Sequence, residues 1–282
     1  MREIECEQII AAIKKLCIET NYYLPKDVEE RIIECCKEEP YPLAKSTLEQ
    51  IKENFEIAKE GTFPICQDTG MACIFMEIGQ DVHIVHGNLE DAINEGVRQG
   101  YEEGYLRKSI VDDPLFSRIN TKDNTPALIN YEIVPGDKLK IIVAPKGFGS
   151  ENMSKVKMLK PSDGVEGVKD FVIDAVKQAG PNACPPMVVG VGIGGNFERV
   201  ALLSKKAMLR KIGTRNPDER YSKLEEELFE EINKLGIGPA GYGGKTTILS
   251  LNIENYPTHI AGMPVAVSIC CHVARHQEVV LW

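Results

Sequence analysis

Nine cysteines, at positions 6, 17, 35, 36, 66, 73, 184, 270 and 271, are the most chemically loaded feature of this 282-residue chain. Their settings differ. Cys6 and Cys17 fall within "IECEQIIAAIKKLCIE" and Cys35 and Cys36 end "PKDVEERIIECCKEE", both patterned as helices. These read as small buried hydrophobes, the usual state of a free thiol. Cys66 instead sits in the polar turn "PICQDTG", where a thiol, an amide, a carboxylate and a hydroxyl occupy four consecutive residues. Cys184 sits in "PNACPP", where prolines forbid a helix. Cys271 follows the strand-like "VAVSIC" and precedes "HVARH". All three lie at loops or element ends, where functional side chains collect on a rigid scaffold. Their separations of 118 and 87 residues are unlike the close pairs of zinc ribbons or ferredoxin clusters. Spacing alone therefore leaves scattered thiols as the simpler reading. Asp68 in "QDTG" has a similarly plain reading as an Asx-turn residue.

Two other motifs invite a nucleotide. Gly190-Val191-Gly192-Ile193-Gly194-Gly195 matches G-x-G-x-x-G after a strand and before a helix. The dinucleotide fingerprint also needs a second strand bearing an acid about 20 residues on, and "KIGTRNPDERY" leads into another helix instead. "GPAGYGGKTT" approaches a phosphate loop, but the first glycine of that pattern would fall at 239, which is Pro239. It reads as a glycine-rich connection.

The elements that must position these residues are mixed. The first sixty residues or so read as three helices. A strand, "ACIFMEIG", and a helix, "LEDAINEGVRQGYEEGYL", follow the Cys66 turn. "ALINYEIVPGDKLKIIVAPKG" alternates and breaks at Pro135-Gly136-Asp137, as a β-hairpin would. "GFGSENMSKVKML" leads into a short helix and "DGVEGVKDFVIDAVKQAG" is a longer one. "PPMVVGVGIGG" is a strand, two helices follow, and "TTILSLNIENYP" and "MPVAVSIC" close as strands. The pattern predicts an α+β fold, helices around a mostly antiparallel sheet, in a single domain over 1–282. Its helical part would cover about 1–60 and its binding core about 61–282.

The net charge of −9 argues against a general nucleic-acid binder, and no run of about 18 apolar residues suggests a membrane span. The N-terminus lacks a signal-peptide pattern, and an odd cysteine count argues against a disulfide framework. The expected location is cytoplasmic.

"ICQDTG", "NTKDNTPA", "KGFGSENMSKVKML", "CPPMVVGVGIGG", "GIGPAGYGGKTT" and "PVAVSICCHVARH", in that order from about residue 40 to 276, together resemble the iron–sulfur-dependent (class I) fumarate hydratases and the related L(+)-tartrate dehydratases. The resemblance implies that Cys66, Cys184 and Cys271 hold a [4Fe–4S] cluster with one open iron. Cys271, just before a small-residue, Arg-ending helix, is preferred to Cys270, which strand alternation points to the other face. It implies a proton-transfer role for Asp68, a substrate contact for Gln67, a carboxylate contact for Arg107 and a backbone contact for Gly149. Lys155 and Lys157 are weaker candidates, and His272 and His276 are structural or supporting. The implied reaction is reversible hydration of fumarate to (S)-malate, with tartrate dehydration to oxaloacetate as the rival. A non-catalytic metal-binding scaffold subunit is a further alternative. Single-chain relatives of this kind are roughly twice as long, so the resemblance implies an α subunit completed by a β subunit, in an α2β2 assembly. The terminal "HQEVVLW" is apolar enough to dock on such a partner.

Overall fold

A computed structural model describes residues 2–282. In chain order its elements are β1 (Arg2–Glu5), α1 (Cys6–Tyr22), α2 (Lys26–Glu38), α3 (Pro42–Ala58), β2 (Met71–Gly79), β3 (Val82–Val85), α4 (Leu89–Glu103), β4 (Leu128–Val134) and β5 (Leu139–Lys146). There follow α5 (Phe148–Glu151), β6 (Lys155–Leu159), α6 (Gly164–Ala179), β7 (Met187–Gly194), α7 (Phe197–Ala207), α8 (Glu219–Asn233), β8 (Ile248–Tyr256), β9 (Met263–Cys270) and β10 (Gln277–Leu281). The fold is α+β, as the pattern predicts. The chain forms two compact units: residues up to 25, 55–148 and 275–282 make one, and 26–54 and 149–274 the other. Among the described residues no helix is long and apolar enough to cross a membrane.

The first unit is built on a four-stranded sheet in the order β10-β5-β2-β4. Alternation in β5 sends Leu139, Ile141 and Val143 into a core with Ile74 and Met76 of β2. α1 adds Ile9, Ile13 and Leu16 to that core from one face of the helix, and α4 adds Ile93, Val97 and Tyr101. Each such aliphatic side chain contributes about 1.5–3 kcal/mol by leaving water. The Asn88 side chain caps α4 by accepting from the amides of Glu90 and Asp91. Gly96 and Gly100 let α4 approach α1 closely: a Cβ on either would lie 2.8 Å from the Ile13 Cβ or 2.7 Å from the Cys17 Cβ.

The expected hairpin is not formed. β4 pairs parallel with β2, β5 pairs antiparallel with β2, and β2 lies between them. Five consecutive residues of β2 are buried, so it sits at the centre with both edges paired, while β4 is an exposed edge. The Pro135-Gly136-Asp137 turn is real but crosses the end of β2, where the Gly79 and Asp81 amides bond to the Lys138 and Gly136 carbonyls. Alternation reports which face a residue takes, not which strand is its neighbour. Two short strands also stand where none was expected: Arg2–Glu5 pairs parallel with Val82–Val85. Within the terminal "HQEVVLW", Gln277–Leu281 form the edge strand β10, antiparallel to β5.

The second unit holds the sheet β6-β9-β7-β8. β7, "MVVGVGIG", is buried throughout. Val189, Val191 and Ile193 face one core, shared with Val172 of α6 and Leu228 of α8. Gly190 and Gly192 alternate onto the other face, against α7. A Cβ there would stand 2.1 Å from the Ser204 carbonyl oxygen and 2.2 Å from that of Val200. These glycines serve helix–sheet contact. "SKVKML" is strand β6, paired with β9, and the short helix ahead of it spans only Phe148–Glu151.

Candidate functional site

The turn 66–70 of the first unit is fixed by its own backbone and by five outside residues, Tyr101, Arg107, Asn124, Phe148 and Arg275. The Asp68 amide donates to Cys66 Sγ at 3.4 Å, and the Cys66 thiol reaches Gln67 Oε1 at 3.5 Å. Gly70 has φ +76°, and a Cβ there would meet the Lys146 carbonyl carbon at 2.6 Å, so only glycine fits. Tyr101, fully buried, shares its hydroxyl between the Thr69 and Gly70 carbonyls at 3.0 Å each. The buried Asn124 donates to the Gly70 carbonyl at 3.2 Å and accepts from the Ser109 amide at 2.8 Å. Thr69 Oγ1 donates to the Arg107 carbonyl at 3.0 Å, which ties the arginine's backbone to the turn and leaves that residue exposed.

Asp68 is partly exposed. Its Oδ1 accepts from the Gly70 amide at 3.1 Å, which is the Asx-turn bond. Its Oδ2 does something a local turn does not require: it accepts from the Phe148 amide, 80 residues away, at 2.9 Å. Gly147 makes room for this, since a Cβ on it would lie 3.0 Å from Oδ2. The carboxylate is thus oriented by two amides with lone pairs to spare.

In the second unit, Cys184 and Cys271 occupy one end of the β7–β9 pair. Val188 stands opposite Cys270, Cys184 lies three residues before β7 begins, and Cys271 directly follows β9. His272 fastens the two loops: its amide and its Nδ1 contact the Cys184 carbonyl oxygen at 3.3 and 3.0 Å. Cys184 has φ +50°, a left-handed conformation that ends the 3₁₀ turn before it. The residues after Cys271 form an irregular loop, not the expected helix. Gly149, in α5, is exposed with open space around its Cα.

Burial sorts the nine cysteines. Cys6, Cys17, Cys35, Cys36, Cys73 and Cys270 are buried, Cys66 and Cys271 are partly exposed, and Cys184 is exposed. Desolvation pushes the Cys17 thiol up to about 12 and the Cys35 thiol to about 11, which keeps both protonated and inert near neutral pH. Cys66 lies in the first unit and the other two in the second. Among the described residues no three His, Cys, Asp or Glu side chains are gathered as a group that could hold a metal ion.

The phosphate-loop-like "GPAGYGGKTT" already holds an anion from its own chain. Glu39, 3% exposed, accepts the Lys245 amide on both oxygens at 3.0 Å. It also accepts the Thr246 amide at 3.0 Å and Thr246 Oγ1 at 2.9 Å. Gly244 permits the approach, since a Cβ there would lie 3.1 Å from Glu39 Oε1.

Sequence reasoning singled out Cys66, Gln67, Asp68, Arg107, Gly149, Cys184 and Cys271. It missed Tyr101, Asn124, Gly147 and Arg275, whose Nη2 donates to the Asp68 carbonyl at 2.7 Å. Asn124 and Arg275 lie inside segments that carry the family resemblance, which was the available signal.

Residues 10–280 match the family model described as fumarate hydratase (Fumerase). A Methanocaldococcus jannaschii protein provisionally named L(+)-tartrate dehydratase subunit alpha is 43% identical over 274 residues, 95% of each chain. The L(+)-tartrate dehydratase subunits alpha of Escherichia coli K12 and Shigella sonnei are each 34% identical over 256 residues, 89% of this chain and 84% of theirs. A match of that extent fixes the family: the chain belongs to the fumarate hydratase (Fumerase) family, a group of hydro-lyases.

Proposed function

We propose that this chain is the α-type subunit of an iron–sulfur hydro-lyase that interconverts fumarate and (S)-malate, with Cys66, Cys184 and Cys271 as the ligands of a [4Fe–4S] cluster. The observation that carries the reading is the sorting of thiols: the three cysteines that escape burial are the three that the family motifs single out. Their chemistry fits. Each lies in a loop, the Asp68 amide points at the Cys66 sulfur as a donor to a thiolate would, and His272 binds the Cys184 loop to the chain just after Cys271. Held by these three thiolates, the cluster would supply Lewis acidity for departure of the substrate hydroxyl group.

The chain's own residues supply the rest. Asp68 takes the proton from the carbon next to the hydroxyl-bearing carbon in dehydration, and returns it in hydration. Its two amide bonds hold it aimed without saturating it. Arg107 offers a guanidinium fork to a substrate carboxylate, with Gln67 and the Gly149 amide as polar contacts. A β subunit, in an α2β2 assembly, supplies the remaining cationic contacts.

A second reading has its own support. The relatives at 43% and 34% identity carry the name L(+)-tartrate dehydratase. Tartrate differs from malate by one hydroxyl, and the same residues would serve its dehydration to oxaloacetate. The complex with its companion subunit, prepared without oxygen, decides between them when assayed with fumarate, (S)-malate and L-tartrate. Higher kcat/KM for fumarate and malate is expected. Preference for tartrate replaces the substrate, and turnover of none of them leaves a scaffold subunit.

A further inference from the structure

The Asp68 turn is held from a direction that its own sequence does not reveal. Arg275 lies four residues beyond Cys271, in the irregular run before β10. It is 5% exposed, and its Nη2 donates to the Asp68 carbonyl oxygen at 2.7 Å. Nε and Nη1 are also buried and meet no hydrogen-bond acceptor among the described residues. Burying a guanidinium with so few of its donors engaged is costly. A neutral side chain in its place would avoid that cost. What the charge adds is strength, because a charge-assisted hydrogen bond is roughly twice as strong as a neutral one. The bond falls on the peptide at the root of Asp68, whose orientation sets where the side chain points. The Gly70 and Phe148 amides hold the carboxylate at its tip. Root and tip together leave the side chain little freedom.

We propose that Arg275 is a positioning residue for Asp68, clamping its main chain so that the carboxylate keeps its aim. The inference rests on the acid–base reading of Asp68 given above. A displacement of about 1 Å at a reacting group can cost about a hundredfold in rate. In the complex with its companion subunit, Arg275→Gln is therefore expected to lower kcat by about ten- to a hundredfold with KM within about twofold, and Arg275→Lys to restore part of the loss. Iron content per chain should be unchanged. In the metal-free chain, the amides of residues 67–70 should exchange with deuterium several-fold faster in Arg275→Gln. In an Asp68→Asn background, Arg275→Gln should lower the residual rate by less than about twofold, since the clamp acts through Asp68. An equal loss in both backgrounds overturns the proposal in favour of general stability. Raised KM at unchanged kcat overturns it in favour of direct substrate contact. Unchanged kcat, unchanged exchange, or failure of both variants to fold also overturns it. If Asp68→Asn alone keeps full kcat, the reading of Asp68 falls and the clamp with it. A deficient Asp68→Asn beside an unaffected Arg275→Gln removes only the clamp.

Discussion

Glu39 and Asp68 are both gripped by backbone amides, and they end in opposite conditions. Glu39 receives the amides of Lys245 and Thr246 and the Thr246 hydroxyl, and is buried. Asp68 receives two amides, one on each oxygen, and stays partly open. The device is the same, a glycine-bearing loop whose N–H groups converge on an anion. The difference lies in saturation and access. A saturated, buried carboxylate is a structural plug, because its lone pairs are spent and no solute reaches it. An oriented carboxylate with lone pairs left and a path to solvent can still accept a reacting proton. A glycine-rich loop therefore says that an anion is held, and only its partners say whether that anion belongs to the protein or to its chemistry.

The comparison can be broken by removing each carboxylate. Asp68→Asn keeps the size of the side chain and most of its acceptor geometry. It is expected to lower kcat by about a hundred- to ten-thousandfold, the usual range for a positioned acid–base group, with Tm nearly unchanged. Steady-state rates and a thermal melt of the same preparation check both halves, and a large fall in Tm would make Asp68 another plug. Glu39→Ala should behave in reverse. It strands buried donors at Lys245 and Thr246, which is expected to cost about 3 kcal/mol and several degrees of Tm. Activity per folded molecule should stay within about twofold. A loss of kcat in the folded fraction would move Glu39 from structure into function.

Part of the candidate site was legible in the residue order, and the rest, Glu39 included, was not, for identifiable reasons. Cys66, Cys184 and Cys271 stand out because prolines, glycines and strand ends mark their loops, while helical periodicity predicts burial for Cys17 and Cys35. The glycines of "GVGIGG" misdirect, because a glycine that admits a ligand and one that admits a helix leave the same letter. Gly190 and Gly192 admit α7. The pairing of β4 and β5 with β2 was hidden because strand order is a long-range property. Strands β1, β3, β6 and β10 are only four or five residues long, too short to impose a period. Arg275 lies in a segment that carries the resemblance, but nothing local marks its guanidinium as one that reaches back 207 positions to a carbonyl.

The central claim is the division of labour among the thiols, and iron content after anaerobic reconstitution tests it most directly. The wild-type complex should take up about four iron and four sulfide per chain. Replacing Cys66, Cys184 or Cys271 by Ala should abolish stable uptake, while Cys73→Ala and Cys270→Ala should keep it. Full iron in any of the first three variants, or its loss in Cys270→Ala with Cys271→Ala intact, would contradict the account.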